Sequence, residues 1–261
     1  MGNFTDILWD EPADGVVRIT LNRPEVRNAV GLQMAADIIE AARRINQRHE
    51  IRAVILTGAD DRAFCAGANL KERKNLPPER AWELVCRLKE MAAAIENIEV
   101  PVIAAINGHA LAGGTHYAIC CDIRIAAEHA TFGLTEVKIG IIAGGPTVKL
   151  GHIMGRGKIN ELILTGRAFS ATEAKEMGLV EHVVPSVQLM PRALALAREI
   201  AGNAPLAVRA SKKLIRLGAE TNITVSNEFQ EAVRATLEHT ADCKEGLAAF
   251  AEKRPARFTG R

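Results

Sequence analysis

Residues 108–117 read Gly108-His109-Ala110-Leu111-Ala112-Gly113-Gly114-Thr115-His116-Tyr117. The segment before them, 102–106, is short, apolar and β-branched, which predicts a buried strand, and residues 118–121 fit a buried helix. At such a strand-to-helix junction the first helical amides lack partners, and the helix dipole adds partial positive charge. Because Gly113 and Gly114 have no Cβ, a ligand oxygen can approach the backbone. The stretch alone therefore predicts either an oxyanion hole or a tight turn that needs small residues.

The composition is that of an ordinary globular protein. The chain has 261 residues, of which 48% are hydrophobic and 25% charged, enough for one large domain or a domain with an appendage. Aromatic residues make up only 4%, so the chain has few side chains that could stack on nucleic-acid bases. A net charge of +2 gives no reason to expect a polyanionic partner.

The cysteines indicate a reducing compartment. Their number, five, is odd, no C-x-x-C motif occurs, and Cys120 and Cys121 are adjacent in an apolar run. We see no secretory signal at the start of the sequence and no apolar run of the roughly 18 residues that a membrane span requires. The prediction is a cytoplasmic protein without disulfides, structural zinc or a membrane helix.

Strands and helices alternate over most of the chain. The patterns predict strands at 5–9, 16–21, 53–57, 102–106, 122–126 and 180–184, and helices from 32, at 79–97 and past 155. Residues 12–15 are predicted as a turn, and 63–78 and 130–145 as loops. The last part is predicted as helices at 189–202, 205–217, 221–239 and 242–252. The fold class is therefore α/β, with a core at 1–188 and a helical C-terminal region at 189–261.

Several common catalytic signatures are absent. Residues 151–158 have the wrong spacing for a phosphate-binding loop, and the glycines at 108–114 do not fit G-x-G-x-x-G. The chain also lacks a G-x-S-x-G elbow and an H-E-x-x-H motif. Nucleotide hydrolysis and hydride transfer are therefore disfavoured.

Four other segments carry a specific resemblance. They are RAFCAGANLKE (62–72), PVIAAINGHALAGGTHYAICCDIRIA (101–126), ATFGLTEVKIGI (130–141) and EGLAAFAEKRPARF (245–258). Together they resemble the crotonase (enoyl-CoA hydratase/isomerase) superfamily, and the likeness extends from ITLNRPEVRNAV (19–30) to the C-terminus. The resemblance implies a ββα spiral core with a helical trimerisation region, a trimer or dimer of trimers, and acyl-CoA thioester substrates without a cofactor or metal. It also implies that the amides of Ala68 and Gly113 form an oxyanion hole.

The catalytic side chains depart from the family pattern. Hydratases of the family are similar in carrying two glutamates; Glu136 occupies the second position, but the first is His116. A histidine near a helix N-terminus is disfavoured as imidazolium, so His116 could act as a general base. Glu136 beside an acyl chain should have a raised pKa and could protonate the α-carbon. The leading hypothesis is syn hydration of an enoyl thioester.

Other functions stay open from the sequence. Glu136 alone could shuttle a proton between the α and γ carbons, as in an isomerase, or His116 could serve a hydrolase or lyase. A catalytically silent homologue and an RNA-binding one with a basic helix bearing Arg43, Arg44 and Arg48 are further alternatives, the latter disfavoured by the near-neutral charge. The acyl group and the pathway are not determined by the sequence.

The resemblance also implies contacts to coenzyme A. The positions concerned are Arg23, Arg27, Ala66, Phe250 and Lys253. The family's Gly-Ala-Asp segment ends here in Asn69, so a carboxylate is lost beside the predicted oxyanion loop. The loop at 143–147, Ala-Gly-Gly-Pro-Thr, is also altered, which leaves the pocket wall undetermined.

Overall fold

The computed structural model describes residues 4–261 as an α/β core followed by helices. The strands are β1 (Ile7–Ala13), β2 (Val16–Leu21), β3 (Ala53–Gly58), β4 (Ala63–Cys65), β5 (Val102–Ile106), β6 (His109–Leu111), β7 (Ile123–Ala127), β8 (Thr131–Gly133), β9 (Ala168–Ser170) and β10 (His182–Val184). The helices are α1 (Leu32–Gln47), α2 (Leu70–Asn75), α3 (Pro78–Glu96), α4 (Gly113–Cys120), α5 (Gly144–Lys149), α6 (Arg156–Thr165), α7 (Ala171–Glu176), α8 (Ser186–Ala201), α9 (Pro205–Glu220), α10 (Ile223–Leu237) and α11 (Ala241–Glu252). Short 3₁₀ helices lie at Pro24–Val26, Glu136–Ile139 and Leu150–His152.

Over residues 4–261 these strands form two sheets. The larger has the order β1-β2-β3-β5-β7-β10 and is parallel except for the β1–β2 hairpin. The smaller has the order β4-β6-β8-β9, with β9 antiparallel to β8. Each strand of the smaller sheet has three residues, so its formation depends on pairing rather than on local sequence.

The larger sheet is buried on both faces. Along β3, Val54 and Leu56 belong to the core shared with α1, α3 and α4, whereas Ala53 and Ile55 belong to a second core. The second core is closed by α8, whose buried residues recur every four positions (Leu189, Ala193, Ala197 and Ala201). Helices on both faces are typical of parallel sheets.

The mixed α/β fold class is confirmed, as are most of the predicted elements. The predicted strands at 16–21 and 102–106 match β2 and β5, and the four C-terminal helices are present as α8 to α11. The division at residue 188 falls inside α8, which packs on the core sheet; the domain boundary stays a prediction, and the packing favours a core that ends after α8. None of the helices in the described chain is long and apolar enough to cross a bilayer.

Three local predictions need correction. The predicted turn at 12–15 is present but shorter: Asp14 and Gly15 form it, and β1 continues to Ala13 because an irregularity between Asp10 and Ala13 lets the edge strand keep its pairing past Pro12. The predicted loop at 63–78 contains β4 and α2, and the loop at 130–145 contains β8, a 3₁₀ helix and the start of α5. β6 was also missed between the predicted strand and the glycines. These pieces of three to six residues are too short for periodicity to reveal.

Candidate active site

The loop after β4 lies against the start of α4. Gly67 has a φ of +87°, and a Cβ placed on it would lie 3.0 Å from the amide nitrogen of Gly113. A Cβ on Gly114 would overlap the carbonyl oxygen of Cys65. The two backbone segments are therefore in contact, and the glycines at these positions are required by the close approach as well as by the turn.

The amides predicted to form the oxyanion hole are free. Over residues 4–261, neither the Ala68 nor the Gly113 amide donates a hydrogen bond to a protein acceptor. The neighbours of Ala68 are tied down instead, since the Val30 amide donates to the Gly67 carbonyl at 2.8 Å and the Asn69 amide donates to the Val30 carbonyl at 2.9 Å. Gly113 is the first residue of α4, where the helix dipole adds positive charge. The arrangement can accept an anionic oxygen.

The residue before α4 has a strained backbone. Ala112 has φ 50° and ψ −118°, a conformation that glycine normally provides. Its amide donates to the Gly133 carbonyl at 2.7 Å, and the Thr115 hydroxyl donates to the same carbonyl at 3.1 Å and to that of Ala110 at 2.6 Å. Thr115 is fully buried, and sequence reasoning missed its role in fixing the junction. These bonds also link α4 to the segment that leads to Glu136.

His116 lies in the first turn of α4 and is partly buried. Burial lowers the pKa of its imidazole to about 4, so the side chain is neutral at pH 7. Its Nε2 is buried without a hydrogen-bond partner. Gly145 of α5 lies against the ring, because a Cβ at this position would overlap Cε1 and Nε2 of His116.

Glu136 begins the 3₁₀ helix after β8. Burial is the main influence on its carboxyl group and raises its pKa. Its Oε2 is buried and has no hydrogen-bond partner. Buried side-chain polar atoms in folded proteins are normally paired. In the part of the chain that the structure describes, the third such atom is Nε of Arg209, so the two predicted catalytic residues supply two of the three.

A buried asparagine that sequence reasoning missed supports the loop. Asn28 accepts a hydrogen bond from the Arg23 amide at 2.9 Å, and its amide group donates to the carbonyls of Ala59 and Ala63. It also has a positive φ of 55°, which asparagine tolerates. The carbonyl of its neighbour Arg27 accepts from the Ala66 amide at 3.0 Å. Asn28 lies in the ITLNRPEVRNAV segment (19–30) that carries the family resemblance, but no pattern in that segment marks its side chain as buried.

The residue that replaces the family's aspartate has a structural role. The side-chain oxygen of Asn69 accepts from the Glu72 amide at 3.1 Å and so caps α2. Glu72 in turn accepts from the Leu32 amide at 3.0 Å, at the start of α1. Although the carboxylate is lost, Asn69 still caps α2 beside Ala68.

The structure places the predicted coenzyme A residues in different surroundings. Nε of Arg23 lies 3.2 Å from Glu25, and its Nη1 lies 3.8 Å from Asp6 and 3.9 Å from Glu72. Arg27 is exposed, and Ala66 belongs to the loop of Gly67. Phe250 is 87% exposed on α11, and Lys253 ends that helix with a φ of 56°. Within residues 4–261, no hydrogen bond or ion pair joins Phe250 or Lys253 to the site loops.

Comparisons with known proteins identify the family. Residues 11–261 match the family model described as enoyl-CoA hydratase/isomerase. YngF of Bacillus subtilis, named as an enoyl-CoA hydratase/isomerase, is 44% identical over 97% of this chain and 98% of its own length. Mouse mitochondrial methylglutaconyl-CoA hydratase is 36% identical, over 96% of this chain and 82% of its own. The crystal structure of enoyl-CoA hydratase from Bacillus anthracis superposes with a TM-score of 0.96 at 42% identity, covering 98% of this chain and 100% of that one.

The chain belongs to the enoyl-CoA hydratase/isomerase family, whose members process acyl-CoA thioesters. The predicted resemblance to the crotonase superfamily is confirmed. The individual roles of His116, Glu136, Ala68 and Gly113 stay predictions.

Proposed function

We propose that this chain hydrates a 2-enoyl-CoA thioester to the 3-hydroxyacyl-CoA, with His116 as general base and Glu136 as general acid. The observation that carries the proposal is the pair of buried, unpartnered atoms, His116 Nε2 and Glu136 Oε2. The segments that hold them are joined through Gly133, whose carbonyl accepts from Ala112 and Thr115. Two polar groups left unpaired at one junction are available to a reactant.

The thioester carbonyl accepts hydrogen bonds from the amides of Ala68 and Gly113. When water attacks the β-carbon, negative charge moves onto that oxygen and forms an enolate. Donors already in place stabilise this charge without reorganisation, and the loss of one such donor typically costs about 3–4 kcal/mol of transition-state stabilisation. The close contact between Gly67 and Gly113 supports this role.

The two side chains complete the addition of water. The oxygen of the water bonds to the β-carbon while one of its protons passes to the imidazole of His116. Glu136, whose raised pKa favours the protonated form, gives its proton to the α-carbon. The carboxylate formed in this step favours the imidazolium, which offsets the low basicity of a buried histidine. Return of the proton from His116 to Glu136 restores the enzyme, so no cofactor or metal is required.

The test is the replacement His116→Ala. We expect hydration of 2-enoyl-CoA to fall by about 10²-fold or more, because general-base catalysis typically contributes that much. The loss of absorbance of the conjugated thioester measures the rate, and the unfolding midpoint controls for folding. A variant that hydrates at the wild-type rate would contradict the proposal.

Double-bond isomerisation is the second candidate, favoured by the buried carboxyl of Glu136. A single protonatable carboxylate can move a proton between the α and γ carbons while His116 shapes the pocket. In that case His116→Ala would largely keep isomerase activity on a 3-enoyl-CoA. The same variant thus separates the two reactions.

The acyl group is open, and a substrate screen decides it. The panel comprises crotonyl-CoA, longer 2-enoyl, 3-enoyl and aromatic acyl thioesters, and methylglutaconyl-CoA because one relative is named for it. Preference for the long 2-enoyl chains would place the enzyme in fatty acid metabolism. Release of free coenzyme A, detected with a thiol reagent, would instead indicate a hydrolase that uses His116 to activate water.

We further propose that coenzyme A binds through Arg27, Ala66, Phe250 and Lys253, with Arg23 recruited from its carboxylate partners. A cytoplasmic location is supported by Cys65, Cys120 and Cys121, which are buried free thiols. Cell fractionation tests the location, and recovery of the protein in an organelle would contradict it.

The assembly proposed is a trimer or a dimer of trimers. Apolar side chains on the C-terminal helices are exposed in the single chain, with Ile215 and Ile223 75% and Phe250 87% exposed. α9 has an apolar stripe although Pro205 is its one buried residue among those described. Such faces are typical of subunit contacts.

A further inference from the structure

Helix α5 packs on α4 in a matched register. Gly145 lies against the imidazole of His116. Four residues further along each helix, Nζ of Lys149 lies 3.8 Å from Sγ of Cys120. Residues four apart share one face of a helix, so the two contacts belong to one interface. The interface between α4 and α5 therefore extends from His116 and Gly145 at one end to Cys120 and Lys149 at the other.

Lys149 also ties α5 to α3. Its ammonium group forms an ion pair with Glu96, in the last turn of α3, and both side chains are about 30% exposed. Helix α5 has only six residues and no side-chain cap at its start, so it needs tertiary contacts to keep its position. Among the described residues, the ion pair with Glu96 is the salt bridge that α5 makes to the rest of the protein.

We propose that Lys149 and Glu96 are positioning residues, which hold α5 so that Gly145 keeps the imidazole of His116 in place and shielded from bulk solvent. The ion pair acts through α5 and does not touch the reacting atoms. The inference rests on the catalytic role proposed for His116, but what it asserts physically is that the ion pair keeps the His116 ring buried.

The surroundings of His116 make the shielding measurable. Tyr117 of α4 lies with its ring centroid 6.0 Å from that of His116, and Gly145 covers the ring from α5. Burial accounts for the lowered pKa of His116, with no contribution from a charged group in the described chain. Cys120 lies one turn along α4 from His116, and Lys149 contacts its thiol and pairs with Glu96, with Arg216 and Glu220 of α9 also acting on the Lys149 ammonium group. Loosening of α5 should therefore admit water and raise the pKa towards the ordinary value near 6.5.

A matched pair of variants tests the proposal by NMR titration of the histidine ring signals, with the His116 signal assigned from its absence in His116→Ala. Both Lys149→Met and Glu96→Met should raise the pKa of His116 from about 4 by at least one unit. If the ion pair acted by charge alone, loss of the cation would raise the pKa and loss of the anion would lower it. Opposite shifts, or no shift in either variant, would overturn the proposal.

Two controls complete the experiment. Lys158→Met on α6, which removes an exposed lysine paired with Glu161, should leave the pKa of His116 unchanged, and an equal rise there would also overturn the proposal. The double exchange of Glu96→Lys with Lys149→Glu should restore the low value. Glu96→Gln replaces Glu96→Met if the latter does not fold. The titration uses the free protein, so its failure is distinguishable from a failure of the hydratase assay.

Discussion

At the scale of single residues, burial is what prepares the site for chemistry. The same cause moves the two side chains in opposite directions, since it lowers the pKa of the His116 imidazole and raises that of the Glu136 carboxyl. Both shifts favour the neutral form, because a low-dielectric environment disfavours charge. At pH 7 the proposed base is therefore unprotonated and ready to accept a proton.

The pH dependence of hydration follows from these directions. Activity should fall at low pH as His116 gains a proton near its pKa of about 4, and at high pH as Glu136 loses its proton. Glu136→Gln cannot donate a proton, so kcat should fall by about 10²-fold or more and the alkaline limb should disappear from the residual rate. A profile of kcat against pH for both proteins measures this. An unchanged alkaline limb in the variant would assign that limb to another group.

The pH dependence of protein stability should also reflect the lowered pKa of His116. Its pKa is lower in the folded than in the unfolded chain, so the unfolded chain binds more protons between pH 6.5 and 4. The free energy of unfolding should therefore decrease as the pH falls through this window, by up to about 3 kcal/mol for this group. Urea unfolding of the wild type and of His116→Ala at several pH values checks it. The slope should be smaller in the variant, and equal slopes would contradict the assignment.

At the scale of elements, the site is a meeting of short segments rather than a property of one helix. β4 carries the loop of Gly67 and Ala68 to the start of α4, and β8 leads to Glu136. Hydrogen bonds from Ala112 and Thr115 to Gly133 hold these segments together. The strain at Ala112 is the cost of turning from β6 directly into α4.

Two opposite substitutions test this junction. Ala112→Gly should be neutral or stabilising, because relief of about 1–3 kcal/mol of backbone strain offsets the entropy that glycine adds to the unfolded chain. Gly114→Ala should destabilise the protein by more than 1 kcal/mol and reduce activity, since its Cβ would overlap the Cys65 carbonyl. Urea unfolding measures both. Equal destabilisation by the two changes would show that the backbone at Ala112 is not strained.

At the scale of the whole molecule, the core sheet is covered by helices of the same chain, whereas the C-terminal helices after α8 keep apolar side chains exposed. The larger sheet is covered on both faces by helices of the same chain, including α8. In α9, by contrast, basic residues make polar contacts with surface residues of the α/β core: Lys212 pairs with Asp122 at 2.6 Å, and Arg216 donates to Asn97 at 2.8 Å. Large apolar side chains of this region, such as Ile215, Ile223 and Phe250, are exposed in the single chain.

The proposed assembly gives a direct prediction. The wild type should have the mass of a trimer or hexamer by light scattering, and Ile215→Glu should shift it towards the monomer because a charge would enter an apolar contact. Gln230→Glu adds the same charge at an exposed polar position of α10 and serves as the matched control. A monomeric wild type at micromolar concentration would contradict the assembly.

The sequence by itself determined the long elements, the α/β class and the family. Apolar periodicity is a local property of the chain, so β2, β5 and the C-terminal helices could be predicted from it. Only the tertiary structure decided the small sheet, the strain at Ala112, the capping by Asn69 and the contact of Gly145 with His116. Each of these depends on groups far apart in the chain, and local patterns carry no information on which distant atoms will meet. Burial is such a property, so the sequence could name His116 and Glu136, but the fold sets their pKa values.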